Sequence, residues 1–246
     1  MAVETILRLA ALIASYIRPP KLLRYSHPKD PSWAIVTGST SVRDISRRHF
    51  KATKNRRVTL LINNVGIGHN LQTDFRAFTT QTPPSLEILL NTNIGFMTHL
   101  THILLPILAE GAPSLVINVG SLAELAMPYI AVYSATKAYM STFTKALDAE
   151  MRAENLDITV ECMLFGDIDT PVHPMKQSLS VLGSEDAAKC ILDRGGSMGS
   201  WGLEPVGAPY WFHGFLLWLC QAQPWWMLRA GFIHNLKSKQ AHLREE

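Results

Sequence analysis

The sequence predicts an α/β fold: a parallel sheet with helices on both faces, followed by an apolar helical tail. Short β-branched runs at 34–36, 58–62, 115–119 and 158–164 alternate with long stretches of helical spacing at 85–109 and 131–154. A chain of 246 residues with 47% hydrophobic content has the apolar side chains for one such core, and it excludes disordered and fibrous classes.

Taken in order, the chain divides into an N-terminal apolar helix and basic linker over 1–32, an α/β domain over 33–205 and a Trp-rich tail over 206–246. The apolar stretch Ile6 to Ile17 is interrupted by Arg8 and is shorter than the roughly 20 residues of a membrane span. Arg18, Lys21, Arg24 and Lys29 follow it. That arrangement suits an interfacial anchor with a basic flank, or equally a frayed, partly buried terminal helix.

Ala34-Ile35-Val36 reads as a buried strand turning at Thr37-Gly38, and Val58 to Ile62 as a second strand ending in Asn63-Asn64-Val65-Gly66. Ser85 to Ala109, with Pro83 and Pro84 before it and Gly111 beyond it, predicts one long helix, irregular near Pro106. Leu115 to Val119 is a third strand, Ala131 to Glu154 a second long helix, and Ile158 to Leu164 a fourth strand. Ser184 is expected to cap a short helix from Glu185 to Asp193. The first strand is expected near an unprotected sheet edge.

The tail has no Asp, Glu, Lys or Arg between Glu204 and Arg229, and it carries Trp211, Trp218, Trp225 and Trp226. Pro209 and Pro224 interrupt it, so two readings stand: short helices lying at a bilayer interface, or a lid packed on the domain. The formal charge of +3, from 23 basic and 20 acidic residues, is too small to imply nucleic acid as a partner. Cys162, Cys190 and Cys220 are far apart and form no C-x-x-C pair, which argues against a disulfide framework or a zinc site. His99 and His102 share a helix face without an evident third ligand, so no metal is expected. No G-x-S-x-G or P-loop motif is present.

Tyr133-Ser134-Ala135-Thr136-Lys137 carries the chemistry, because four-residue spacing puts phenol and ammonium on one helix face. A cation about 4 Å from a phenol at intermediate dielectric is worth roughly 4 kcal/mol, enough to pull the phenol toward neutral pH as a general acid. Ser121 lies just past the third strand and Asn93 within the first long helix. Together with Thr37-Gly38 and the Asn-Asn-x-Gly turn, these residues resemble the landmarks of the short-chain dehydrogenase/reductase superfamily from about Trp33 to Thr170. Asn118 to Glu124 and the tail around Tyr210-Trp211-Phe212-His213 look most like its membrane-associated hydroxysteroid dehydrogenases and β-ketoacyl-CoA reductases, the fungal members above all.

The resemblance implies a Rossmann-like fold with Asn93, Ser121, Tyr133 and Lys137 as catalytic residues. Ser121 would bond the substrate carbonyl, and Asn93 would position a water that relays protons through Lys137. It implies dinucleotide contacts from Thr37, Gly38, Asn63, Asn64, Gly66, Tyr133, Lys137, Ile168 and Thr170, with NADP as the cofactor. A lipophilic ketone or alcohol, either a steroid or a β-ketoacyl-CoA, would be the substrate. A membrane surface and a second copy in a homodimer would be partners, and the location would be the cytosolic side of the endoplasmic reticulum.

The dinucleotide half departs from that pattern and makes this a truncated version of the fold. Val42 and Asp44 stand where glycines would let a pyrophosphate approach a helix N-terminus, and the Asp44 carboxylate would repel it. Between Gly38 and Asn63 there is room for less than one βαβ unit of about 30 residues, so the strand that grips the adenosine ribose has no sequence to form it. The segment there is basic: Arg43, Arg47, Arg48, Lys51, Lys54, Arg56 and Arg57 suit a phosphate or membrane site, or a solvated helix. Dinucleotide binding is therefore expected to be weak. Beside the oxidoreductase stands an alternative, a catalytically silent membrane-associated remnant that binds no dinucleotide.

Overall fold

The computed structural model describes residues 16, 21–26, 31–37, 56–68, 77–199 and 203–237, with the backbone alone for 238–245. Its centre is a five-stranded sheet in the order β1-β2-β3-β4-β7, parallel throughout. The strands are β1 (Ser32–Thr37), β2 (Arg57–Asn63), β3 (Ser114–Ser121), β4 (Ile158–Phe165) and β7 (Val206–Gly207). Two short strands, β5 (Asp167–Asp169) and β6 (Val181–Gly183), form a separate parallel pair.

Alternation along the strands builds two cores. Val58, Val116, Val160 and Leu61 face one side, where they meet Phe96, Leu100, Leu104, Leu108, Leu147 and Met151. Those partners lie on the helix α2 (Met97–Glu110), the turn before it, and the helix α3 (Ala131–Ala153). Leu115, Ile117, Met163 and Phe165 face the other side, against Tyr25, Met198 and Ala187 of the helix α4 (Ser184–Arg194). Burial on both faces is what makes β3 and β4 read as nearly continuous apolar runs.

The first long helix is interrupted, but not where the sequence predicts. It runs as α1 (Pro83–Leu90), a π-helical turn over Asn91–Phe96, and then α2. Pro106 sits inside α2 on an exposed face, where water can satisfy the carbonyl it leaves free. The π turn is held by Asn93, which is fully buried and hydrogen-bonded outside its own helix. Ser184 is not a cap either. The cap position is Gly183, the extended end of β6, and Ser184 is already helical and makes no side-chain capping bond.

β1 lies at the sheet edge, as expected, with Trp33 42% and Val36 60% exposed. The Arg56 guanidinium covers the Trp33 ring at 3.9 Å, and Arg57 donates to the carbonyls of Gly111 and Ala112 at the end of α2. These two basic residues are thus structural, while Arg43, Arg47, Arg48, Lys51, Lys54, Val42, Asp44 and Gly38 lie outside the described residues. The tail forms α5 (Trp211–Ala222) and α6 (Trp225–Glu245), separated at Pro224. Among the described residues, no helix is long and apolar enough to cross a membrane.

Candidate active site

The site sits at the C-terminal ends of the parallel strands, where open α/β sheets bind ligands. Ser121 is the last residue of β3, and its hydroxyl accepts from the Ala123 N–H at 3.2 Å, which starts the turn Leu122–Leu125. Tyr133 and Lys137 stand one turn apart near the start of α3. The Lys137 Nζ lies 5.7 Å from the centre of the Tyr133 ring and donates to the Val119 carbonyl at 3.1 Å.

The electrostatics differ from the sequence-based expectation. Burial pushes the Tyr133 phenol up from its ordinary value; hydrogen bonding with Ser121 opposes the rise, and the Asp167 carboxylate adds to it. Burial also lowers Lys137 to about 8. The ammonium therefore does not bring the phenol toward neutrality in this arrangement, because desolvation acts on both groups and the Val119 carbonyl holds the lysine head. What the geometry does supply is a phenol with a lysine that can carry or release a proton near physiological pH.

Asn93 is brought to the site through the backbone of the loop after β2. Its Oδ1 accepts from the Ile67 N–H at 2.8 Å, and its Nδ2 donates to the Ile67 carbonyl at 2.9 Å and to Thr136 Oγ1 at 3.1 Å. The side chain expected to position a water is committed to pinning that loop beside Lys137. Gly66 lies directly over the lysine: a Cβ there would stand 3.3 Å from Nζ, and one at Gly68 would meet the Tyr133 ring at 4.0 Å. The missing side chain matters at Gly66, where a Cβ would crowd the lysine head, whereas one at Gly68 would make only ordinary contact.

The remaining expected dinucleotide contacts separate into two groups. Asn64 and Gly66 are exposed at the strand end, and Ile168 and Thr170 are half-buried on and after β5. Asn63, in contrast, turns inward. Its Nδ2 donates to Thr101 Oγ1 and to Asn118 Oδ1, and Asn118 donates in turn to Thr144 Oγ1. The Nδ2 is used within the fold, while the buried Oδ1 has no hydrogen-bond partner among the described residues, so the side chain of Asn63 has a structural role. Thr37 likewise spends its hydroxyl on the sheet, donating to the Ile62 carbonyl and accepting from the Asn64 N–H at 3.2 Å. Ile168 presents only backbone, since its side chain packs into the core beside β4.

The nicotinamide half of a dinucleotide fits these residues, because Gly66 and Gly68 leave an approach to Tyr133 and Lys137 that a Cβ would narrow. The adenosine half meets no built site among the described residues: β1 is the edge and no strand lies beyond it. Sequence reasoning missed Thr136, the Ile67 backbone and Leu236. Leu236 of α6 is buried with Ala123 and Ile130, and Tyr133 packs against the same cluster. The tail thus contributes Leu236 to the apolar cluster against which Tyr133 packs. Two of these three leave little trace in sequence, since Ile67 acts through backbone atoms and Leu236 is one leucine of an exposed helix. Among the described residues no cluster of His, Cys, Asp and Glu could hold a metal.

The chain is 30% identical over 167 residues to a very-long-chain 3-oxoacyl-CoA reductase of Laccaria bicolor, matching 65% of this chain and 47% of that protein. It thus spans about half the length of that curated relative. A reductase of the same name from Aspergillus fumigatus is 25% identical over 295 residues, covering 96% of this chain and 84% of the other. A match longer than the 246-residue chain leaves roughly 60 residues of the relative without a counterpart, about the size of two βα steps.

The fold is shared with a 3-ketoacyl-(acyl-carrier-protein) reductase from Brucella melitensis complexed with NADH, at 23% identity and a TM-score of 0.56 over 70% of this chain and 74% of that one. It is also shared with a short-chain dehydrogenase from Burkholderia cenocepacia in complex with NADP, at 24% identity and a TM-score of 0.51 over 63% and 65%. The family model for short chain dehydrogenases matches residues 33–179, more than half of the chain, and the protein belongs to the short-chain dehydrogenase family.

Proposed function

We propose that the protein is a nicotinamide-dependent carbonyl reductase acting on a lipophilic 3-oxoacyl thioester, with NADP as the dinucleotide. The observation that carries this reading is the convergence of Ser121, Tyr133 and Lys137 at the strand ends, under the apolar contact of Leu236. The relatives' names favour an acyl thioester over a steroid. When bound beside Gly66, Asn64 and Thr170, the dinucleotide supplies a hydride for the carbonyl carbon. Ser121 donates a hydrogen bond to the carbonyl oxygen, Tyr133 gives its phenolic proton to the developing alkoxide, and Lys137, one helical turn away, is the proton donor that restores the phenol from the tyrosinate. Leu236 and the tail exclude water from this transfer.

The sign of the pH dependence follows from Lys137. Below about 8 the lysine carries the proton that restores the phenol; above it that proton is lost, so reduction should decline as pH rises through 8. The test is NADPH oxidation with a long-chain 3-oxoacyl-CoA. Tyr133→Phe should lower turnover by about 100-fold or more with the fold intact by circular dichroism. Unchanged turnover in that variant, or none in the wild-type chain at millimolar NADPH, would overturn the reading.

Membrane association belongs to the same proposal, on the cytosolic face of the endoplasmic reticulum. Trp211, Phe215, Leu219, Trp225 and Trp226 are all exposed along α5 and the start of α6, and Arg229 and Lys237 follow. Deleting Pro209 onward should release the protein from anionic vesicles in flotation, and a full chain that stays wholly soluble would refute it. The edge position of β1 favours a second reading, a silent remnant that binds no dinucleotide. Direct titration with NADPH separates the two.

A further inference from the structure

The segment from Gly166 to Ser180, which includes β5 and leads into β6, carries Thr170 and the exposed Val172 and Leu179, so its placement decides how the mouth of the site is shaped. Both ends of that segment are held by one side chain from the tail. His213, in the first turn of α5, is fully buried. The Gly166 N–H, immediately before β5, donates to its Nδ1 at 3.1 Å, and its Nε2 lies 3.2 Å from the Ser180 carbonyl, immediately before β6. A backbone N–H can only donate and a carbonyl can only accept. The ring must therefore be neutral with its hydrogen on Nε2.

Three further contacts define this seat. The Tyr210 hydroxyl donates to the Leu179 carbonyl at 3.2 Å, and the Tyr210 and Phe165 rings meet the imidazole edge-on at 4.9 and 6.3 Å between centroids. Gly166 is required by the ring itself, since a Cβ there would stand 2.9 Å from Nε2. Burial holds His213 below its ordinary value; the hydrogen bond with the Ser180 carbonyl and then the Asp167 carboxylate, the charged group facing the imidazole, oppose that shift.

We propose that His213 is a positioning residue: it pins both entrances of the β5–β6 segment and so couples the aromatic C-terminal helix to the mouth of the catalytic site. The inference rests on the reductase reading for its kinetic consequence but not for the pinning. On the outer side of the same helix Trp211, Phe215 and Leu219 are exposed, so whatever seats that face also sets the attitude of His213. The tail thereby acts on the reaction through the position of Thr170 and its neighbours, without touching the reacting atoms.

The experiment uses the full chain and three variants. His213→Leu removes both hydrogen bonds; His213→Asn keeps an acceptor where Nδ1 stands; Gly166→Ala forces the ring out. Hydrogen exchange of residues 166–180 should rise by about tenfold or more in His213→Leu and Gly166→Ala, and much less in His213→Asn. Ring ¹⁵N spectra should show an unprotonated Nδ1 that titrates below an ordinary histidine. With NADPH and a 3-oxoacyl-CoA, His213→Leu should lose up to about 100-fold in kcat, with partial rescue in His213→Asn.

A general loss of packing would instead lower the melting temperature of all three variants together without separating Asn from Leu. Exchange at 166–180 that is unchanged in His213→Leu, or a His213 that titrates normally, overturns the proposal. If the wild-type chain shows no turnover, the reductase reading fails, and the exchange and ring spectra still decide the pinning.

Discussion

The catalytic half and the dinucleotide half of this sheet are built from similar apolar runs but have different surroundings. β3 and β4 are covered on both faces and bring Asn118, Glu161 and Cys162 fully inside. β1 has the same kind of sequence, Ala34-Ile35-Val36, yet Val36 and Trp33 are exposed. The difference shows that a strand's apolar character records the sheet it was selected for, while its burial depends on the neighbours actually present. Here the strands that carry Ser121 and lie beside Tyr133 keep their supports, and the β1 side lacks them among the described residues.

The largest expected effect concerns that missing side. Among the described residues no strand beyond β1 grips the adenosine ribose, and losing several charge-assisted hydrogen bonds of roughly 1.5 to 3 kcal/mol each should leave NADPH binding near millimolar by calorimetry. Inserting the corresponding segment of a relative between Thr40 and Val58 should tighten binding by several orders of magnitude. Micromolar binding by the chain as it stands would remove the contrast, and would mean that the basic segment Arg43 to Arg57 forms a phosphate site.

Next in size is the polar network that lies under the intact half. Asn118 joins Asn63 to Thr144 with no exposure to solvent, so Asn118→Ala strands two buried partners and should cost about 3 kcal/mol in denaturant unfolding. A cost under 1 kcal/mol would show that the network is less rigid than its geometry. Glu161 sharpens the same point through pH. Its carboxylate accepts from the amides of Gly196 and Met198 at 2.8 and 2.6 Å. Burial nevertheless raises it from 4.5 to about 7, with the amides of Gly196, Met198 and Gly199 opposing the rise.

Because the folded value exceeds the unfolded one, the native state binds the extra proton between about pH 4.5 and 7, and stability falls as pH rises through that window. Melting temperature should drop by a few degrees from pH 5 to 7.5 on this account, and Glu161→Gln should flatten the slope. The smallest effect is at the edge. Val36→Lys should change stability by no more than about 0.5 kcal/mol and reduce self-association in light scattering. A large loss there would mean that β1 is covered after all.

The parallel sheet, four of its five strands and the helical stretches at 85–109 and 131–154 were legible in sequence, because side-chain periodicity depends only on local geometry and on which face meets the core; β7 and the β5–β6 pair, only two or three residues each, were too short to show a period. The structure brings Ser121, Tyr133 and Lys137 together, and their spacing is a property of one strand end and one helix. Three matters were decided only by tertiary structure. The helix break moved from Pro106 to Asn93, because a buried amide must satisfy its hydrogen bonds wherever partners lie, and these lie on Ile67 and Thr136.

Asn63 became a core residue rather than a ligand contact, because the side chain of a strand residue goes to one face or the other and its partners Thr101 and Asn118 were on the inner one. The phenol rose where a charge pair predicted a fall, because desolvation is set by everything packed around a group and not by its nearest neighbour in the motif. Sequence determines which groups are available at fixed local spacing; which of them remain free for chemistry is settled by contacts between residues distant in the chain.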